Sequence, residues 1–149
     1  MNGSISFDTN ILVYATADTG SKGATARAVI NRAAAAECGL VLFQTLLEFS
    51  NVALRKKIIP PLGIQAAVDV WRDSFPVGYV DGTDLPAALR AVGSHTIAFW
   101  DAMLWATAER SGVSILLSED FQNGRRLGRV TFLNPFEAAN RAAIDAALA

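Results

Sequence analysis

The chain has 149 residues, of which 52% are hydrophobic and 18% charged, with 13 Lys and Arg against 14 Asp and Glu. That length suits one domain, residues 1–149, with a core that needs neither disulfide nor structural metal, and Cys38 as the only cysteine excludes an intrachain disulfide. The formal charge of −1 excludes a general polyanion-binding field, so any nucleic-acid contact falls to local basic clusters.

Residues 4–7 read as a short strand, after which Asp8-Thr9-Asn10 caps a helix carrying Ile11, Leu12, Val13, Tyr14 and Ala15. Residues 21–37 are Ala-rich with Arg27 and Arg32 along them, which predicts a second helix ending near Gly39; residues 40–43 predict the second strand. A helix follows over 44–59, with Leu47, Val52, Ala53 and Leu54 available for burial, Glu48 in its first turns and Pro60-Pro61 as its stop. Residues 63–74 place Ile64, Ala67, Val68 and Trp71 at i, i+3, i+4 and i+7 of an amphipathic helix closed by Pro76.

Residues 77–80 predict a weak third strand, and Thr83 or Asp84 caps a helix with Pro86 in its first turn that ends around Gly93. From Phe99 runs a helix with Asp101 in its first turn and a Gly112 stop, then an apolar, β-branched strand over 113–117 that ends in Ser118-Glu119-Asp120. Residues 130–133 form the last strand, Asn134-Pro135 a break, and 136–148 an Ala-rich terminal helix. Short strands alternating with helices predict an α/β fold with a mainly parallel sheet covered on both faces.

Four acids stand at comparable places: Asp8 after the first strand, Glu48 early in the helix after the second, Asp101 early in a late helix, and Asp120 after the fourth strand. Right-handed crossovers bring such junctions to one edge of a parallel sheet, where α/β folds bind ligands. Taken singly, each acid is an ordinary helix cap or first-turn residue. Taken together they form a site, and their mutual repulsion, on the order of 4 kcal/mol for a pair 4 Å apart at an effective dielectric near 20, demands protons or a cation. An all-oxygen set without Cys or His suits Mg²⁺ or Mn²⁺ in preference to Zn²⁺.

The stretch Ser6-Phe7-Asp8-Thr9-Asn10-Ile11-Leu12-Val13-Tyr14-Ala15, Glu48 in its helix, Phe99-Trp100-Asp101-Ala102, Leu116-Leu117-Ser118-Glu119-Asp120-Phe121-Gln122-Asn123-Gly124 and Asn134-Pro135-Phe136 together resemble PIN-domain ribonucleases, in particular the VapC-like toxins of bacterial toxin-antitoxin pairs. The resemblance covers nearly the whole chain. It implies a three-layer α/β/α sandwich and metal-assisted hydrolysis of RNA, with Mg²⁺ or Mn²⁺ held by an acidic cluster and a separate antitoxin protein as partner. Under it Asp8 and Asp120 are direct metal ligands, Asp101 is direct or water-mediated, Glu48 orients or deprotonates the water, and Asn10 and Ser118 support the carboxylates from behind. Asn123 falls where some relatives carry a further acid.

Arg125, Arg126 and Arg129 follow Asp120 closely, and Arg125 and Arg126 are candidate contacts for RNA phosphates, against the alternative of solvated loop charge. Arg55-Lys56-Lys57 is explained by the dipole at a helix end. His95 reads as a loop or capping residue, Trp71, Trp100 and Trp105 as core or interface aromatics before base-stacking ones, Cys38 as a buried inert thiol, and Glu119 as a surface acid. The apolar composition implies surface covered by a partner, a homodimer or a second protein. No run is long enough to cross a bilayer, since the greasiest, 39–47, contains Gln44, and MNGSISFD lacks the features of a secretory leader, so a cytoplasmic site with no membrane is expected. Competing functions are a non-toxin RNA-processing nuclease of the same fold, an aspartyl-phosphate enzyme built on Asp8, disfavoured by Asn10 two residues on, and an interaction module without catalysis.

Overall fold

In the computed structural model, which describes residues 4–149, strand β1 (Ser4–Phe7) buries Ile5, Ser6 and Phe7 and gives way at Asp8 to helix α1 (Thr9–Ala17). The first three residues of the stretch read above for a leader lie outside the described residues. Asp8 is extended, and its carboxylate accepts the Thr9 N–H at 2.8 Å, the capping expected of an Asp before a helix. The chain continues through α2 (Ser21–Ala35), β2 (Val41–Leu42), α3 (Phe43–Arg55), α4 (Pro61–Ser74), β3 (Val77–Gly78), α5 (Asp84–Ser94) and α6 (Phe99–Arg110). After these come β4 (Val113–Leu117), β5 (Arg126–Leu127), β6 (Val130–Leu133), a 3₁₀ turn (Ala138–Asn140) and α7 (Arg141–Ala147).

Four strands pair in the order β1-β4-β6-β5, and β2 pairs with β3; every pairing is parallel except β5 with β6. A single parallel bridge between Ile5 and Gly39, with the Leu40 N–H donating to the Ile5 carbonyl at 2.9 Å, joins the two ladders. A Cβ on Gly39 would lie 2.4 Å from the Phe75 ring, so this junction closes only on glycine. Alternation along the strands sends Ile5, Phe7, Leu117 and Leu133 to one face, packed with α1 to α4, and Leu116, Val130 and Phe132 to the other, packed with α5 and α6. Helices on both faces of a mainly parallel sheet make the expected three-layer α/β/α sandwich.

Several elements differ from their sequence expectation. Pro60-Pro61 does not stop α3, which already ends at Arg55 and leaves through Lys57 at φ +53°; Pro61 opens α4, where its missing N–H costs no helical bond. The terminal helix over 136–148 is broken instead. Asn134 accepts the Phe136 N–H at 2.9 Å, and the Asn140 amide donates to the Asn134 carbonyl at 2.8 Å and to Asn123 at 2.7 Å, so α7 begins only at Arg141. Strand β5 had no periodic signal, since two residues turned through Gly128 at φ +57° are too few to carry one. Gly112 at φ +83° closes α6 as expected. Among the described residues no helix is long and apolar enough to cross a membrane.

Candidate active site

The register of β1 against β4 brings the first and last of the acidic segments together. Phe7 pairs with Leu117, so the residues that follow each strand, Asp8 and Ser118, emerge side by side at the carboxyl edge of the sheet. The Ser118 hydroxyl donates to Asp8 Oδ2 at 2.7 Å, and the Asp8 N–H donates to the Leu117 carbonyl at 2.8 Å. One helical step on, the Asn10 amide donates to Asp8 Oδ2 at 3.3 Å and to Asp120 Oδ2 at 3.1 Å, while its own oxygen accepts the Glu119 N–H at 3.2 Å. Asn10 therefore bridges two carboxylates and the backbone of the loop between them.

Glu48 arrives from α3, one turn after Gln44. Its Oε2 accepts the Thr9 hydroxyl at 3.0 Å and its Oε1 accepts the Gln44 amide at 2.9 Å. The same Gln44 amide donates to the Trp100 carbonyl at 3.1 Å, which ties Glu48 to the start of α6, where Asp101 sits in the first turn. Asp8, Glu48, Asp101 and Asp120 all line one cleft of about 610 Å³, together with Thr9, Asn10, Tyr14 and Lys56.

None of the four acids takes part in an ion pair among the described residues. Burial pushes the Asp8 carboxyl up from 3.8 to about 6; hydrogen bonds from Ser118 and Thr9 oppose the rise, and the charges of Glu48 and Asp120 add to it. Asp101, exposed at its edge but partly desolvated by the walls of the cleft, is raised first by that desolvation and then by the charges of Glu48 and Asp120. The cleft thus holds negative charge that the protein does not neutralise.

That chemistry fits a hard divalent cation: the ligand atoms the cleft offers are carboxylate, amide and hydroxyl oxygens, and no Cys or His lines it. As the side chains stand, no three acids among the described residues close on one ion position. Asp101 and Asp120 are exposed, and Asp101 accepts no side-chain hydrogen bond among the described residues. Asp8, fixed by three donors, is the rigid member.

Other residues fall less uniformly. Arg125 and Arg126 do not line the cleft: Arg125 donates to the Thr96 carbonyl at 2.8 Å, Arg126 to the Gly128 carbonyl at 3.1 Å, and Arg129 pairs with Glu109. The basic residue of the cleft is Lys56, which sequence reasoning assigned to a helix end. Thr9 and Gln44 were also missed: both are uncharged, and unlike Asn10 and Ser118 neither is singled out by the resemblance. Asn123 lies away from the acids and stitches the loop to the C-terminal segment through Glu137, Asn134 and Asn140. His95 follows the last turn of α5, its N–H on the Ala91 carbonyl.

The three tryptophans separate. Trp71 is buried edge-on to Phe49, Trp105 donates its indole N–H to the Leu127 carbonyl at 2.9 Å, and Trp100 is 66% exposed. Cys38 is half-buried, short of the full burial expected, because it lies in the turn between α2 and β2. Glu119 is no free surface acid: it accepts the Tyr14 hydroxyl at 2.6 Å and pairs with Lys22.

A family model described as PIN domain matches residues 5–129. No curated protein matches the chain. Among solved structures, the Mycobacterium tuberculosis toxin VapC20, described as cleaving the sarcin-ricin loop, is 17% identical with a TM-score of 0.62, over 78% of this chain and 90% of its own. A chain of a toxin-antitoxin complex from Klebsiella pneumoniae is 19% identical with a TM-score of 0.62, over 90% of this chain and 99% of its own. At such identities the likeness is one of fold.

Proposed function

Because the chain belongs to the PIN domain family, we propose that it is a metal-dependent endoribonuclease, using Mg²⁺ or Mn²⁺, and acts in the cytoplasm as the toxin of a toxin-antitoxin pair. The observation that carries this reading is the meeting of Asp8, Glu48, Asp101 and Asp120 in one cleft without a basic partner for any of them. A divalent cation held by Asp8, Asp101 and Asp120 would supply Lewis-acid charge at the scissile phosphodiester and acidify a water.

The remaining work belongs to the chain's own side chains. Ser118 and Asn10 hold Asp8 and Asp120 in place from behind. Thr9 and Gln44 each hold one oxygen of Glu48, which fixes that carboxylate while leaving lone pairs on both oxygens to orient the attacking water and accept its proton. Lys56 at the rim meets the incoming phosphate chain.

The toxin role is supported by the fold shared with VapC20 and with one chain of the Klebsiella toxin-antitoxin complex, and an antitoxin is accordingly the proposed protein partner. We read the chain as one unit, since β6, which begins beyond the matched stretch, lies inside the same sheet. A homodimer is proposed on the exposed stripe Leu85, Leu89 and Val92 of α5.

The test is incubation of the purified, antitoxin-free protein with total RNA and Mn²⁺. Cleavage is expected, lost on chelation and lost in Asp8→Asn. Intact RNA with the folded parent protein would overturn the nuclease reading.

A further inference from the structure

Asp120 leaves β4 on a loop with no regular structure before β5, so the sheet alone does not fix where its carboxylate points. The loop's first backbone bond runs from the Ser118 N–H to the Leu133 carbonyl at 3.0 Å. The next two amides go to side chains, Glu119 to Asn10 at 3.2 Å and Asp120 to Ser118 at 3.1 Å.

Glu119, which is not one of the four cleft acids, supplies the tie on the other side. Its carboxylate accepts the Tyr14 hydroxyl at 2.6 Å and forms an ion pair with Lys22. The Lys22 ammonium lies 5.1 Å from the Tyr14 ring centroid and 5.3 Å from that of Phe136, and these two rings meet edge-on at 5.1 Å. One carboxylate thereby gathers α1, the first turn of α2 and the segment after β6 around the loop.

We propose that Lys22, Tyr14 and Glu119 form a clasp that positions Asp120 for metal binding, with Glu119 as the positioning residue. The proposal rests on the metal-site reading of the cleft. Adjacent Cα atoms are about 3.8 Å apart across a trans peptide, so pinning the Glu119 side chain to α1 and α2 limits how the neighbouring Asp120 can swing from Asn10. Lys22 also neutralises Glu119, which would otherwise add a fifth negative charge beside the cleft.

The experiment compares the parent with Glu119→Ala, Glu119→Gln, Tyr14→Phe and Lys22→Met, and with Arg32→Ala as a control that breaks the remote Arg32–Asp145 pair. Mn²⁺ affinity is read by calorimetry, and amide hydrogen exchange at residues 119 and 120 is read without metal. Glu119→Ala is expected to weaken Mn²⁺ binding on the order of tenfold and to speed exchange at both amides. Glu119→Gln, which keeps one acceptor oxygen for Tyr14 but loses the ion pair with Lys22, is expected to fall between the parent and Glu119→Ala in both, and Arg32→Ala to change neither. Thermal melting verifies folding, and Tyr14→Phe and Lys22→Met carry the test where Glu119→Ala does not fold. Parental affinity and exchange in the clasp variants would overturn the clasp alone. A parent protein that binds no Mn²⁺ would overturn the metal-site reading and the proposal with it.

Discussion

Asp8 sets two demands against each other. It is 7% exposed, yet the metal-binding role proposed for it requires ionisation, and burial lifts its carboxyl to about 6 while three hydrogen bonds favour its charged form. The unfolded chain releases that proton near 3.8. Between those values the folded state binds more protons, so the contribution of Asp8 to stability is full below about pH 4 and is lost as pH rises through about 6. At about 1.4 kcal/mol per tenfold change in ionisation, the loss is on the order of 3 kcal/mol, and Asp101, also raised, adds the same sign. Metal-free protein is therefore expected to melt at a lower temperature at pH 8 than at pH 5, with a flatter dependence in Asp8→Asn. Thermal scans across that range check it, and a flat parental profile would contradict the burial cost.

The corner between α1 and α2 carries a constraint of a different kind. The Asp18 carboxylate accepts the Gly20 N–H at 3.1 Å and the Gly23 N–H at 2.8 Å, doing the capping that Gly20, without a side chain, cannot do. A Cβ on Gly23 would stand 1.9 Å from the Asp18 carbonyl oxygen, and backbone gives way only if α2 moves off α1. Gly23→Ala is expected to destabilise the protein by about 1–3 kcal/mol. Gly93, in α5 with nothing within 4 Å of its Cβ position, is the contrast: Gly93→Ala is expected to stabilise by about 0.5–1 kcal/mol. Denaturant unfolding of the two variants measures both, and equal midpoints would refute the steric account. Asp84 makes a comparable link between α5 and α6, buried against Thr107 and Arg110.

At the scale of the whole molecule, the two sheet faces are covered but the outer surface of α5 is not. Leu85, Leu89 and Val92 recur at i, i+4 and i+7 and are each more than a third exposed, while Phe99 and Trp100 on the neighbouring helix add exposed aromatic area. Such a stripe is stable in water when a second surface covers it. The parent is expected to sediment at twice the 15.9 kDa chain mass, and Leu89→Glu, which leaves the core untouched, at the chain mass. A parent that sediments as a single chain would remove the dimer.

The order of elements apart from β5 and the broken terminal helix, the Gly112 stop, the Asp8 cap and the place of four acids after strands or early in helices were legible in the sequence. They depend on periodicity and capping, which act between residues a few positions apart. Only the tertiary structure decided which groups meet. Ser118 reaches Asp8 across 110 residues, Glu119 reaches Lys22 across 97, and Thr9 reaches Glu48 across 39. Those meetings follow from strand register and from how helices pack on the two sheet faces, and neither is written in any local run of the chain. For the same reason Arg125 and Arg126, close to Asp120 in sequence, turn away from the cleft while Lys56, far from it, stands at the rim.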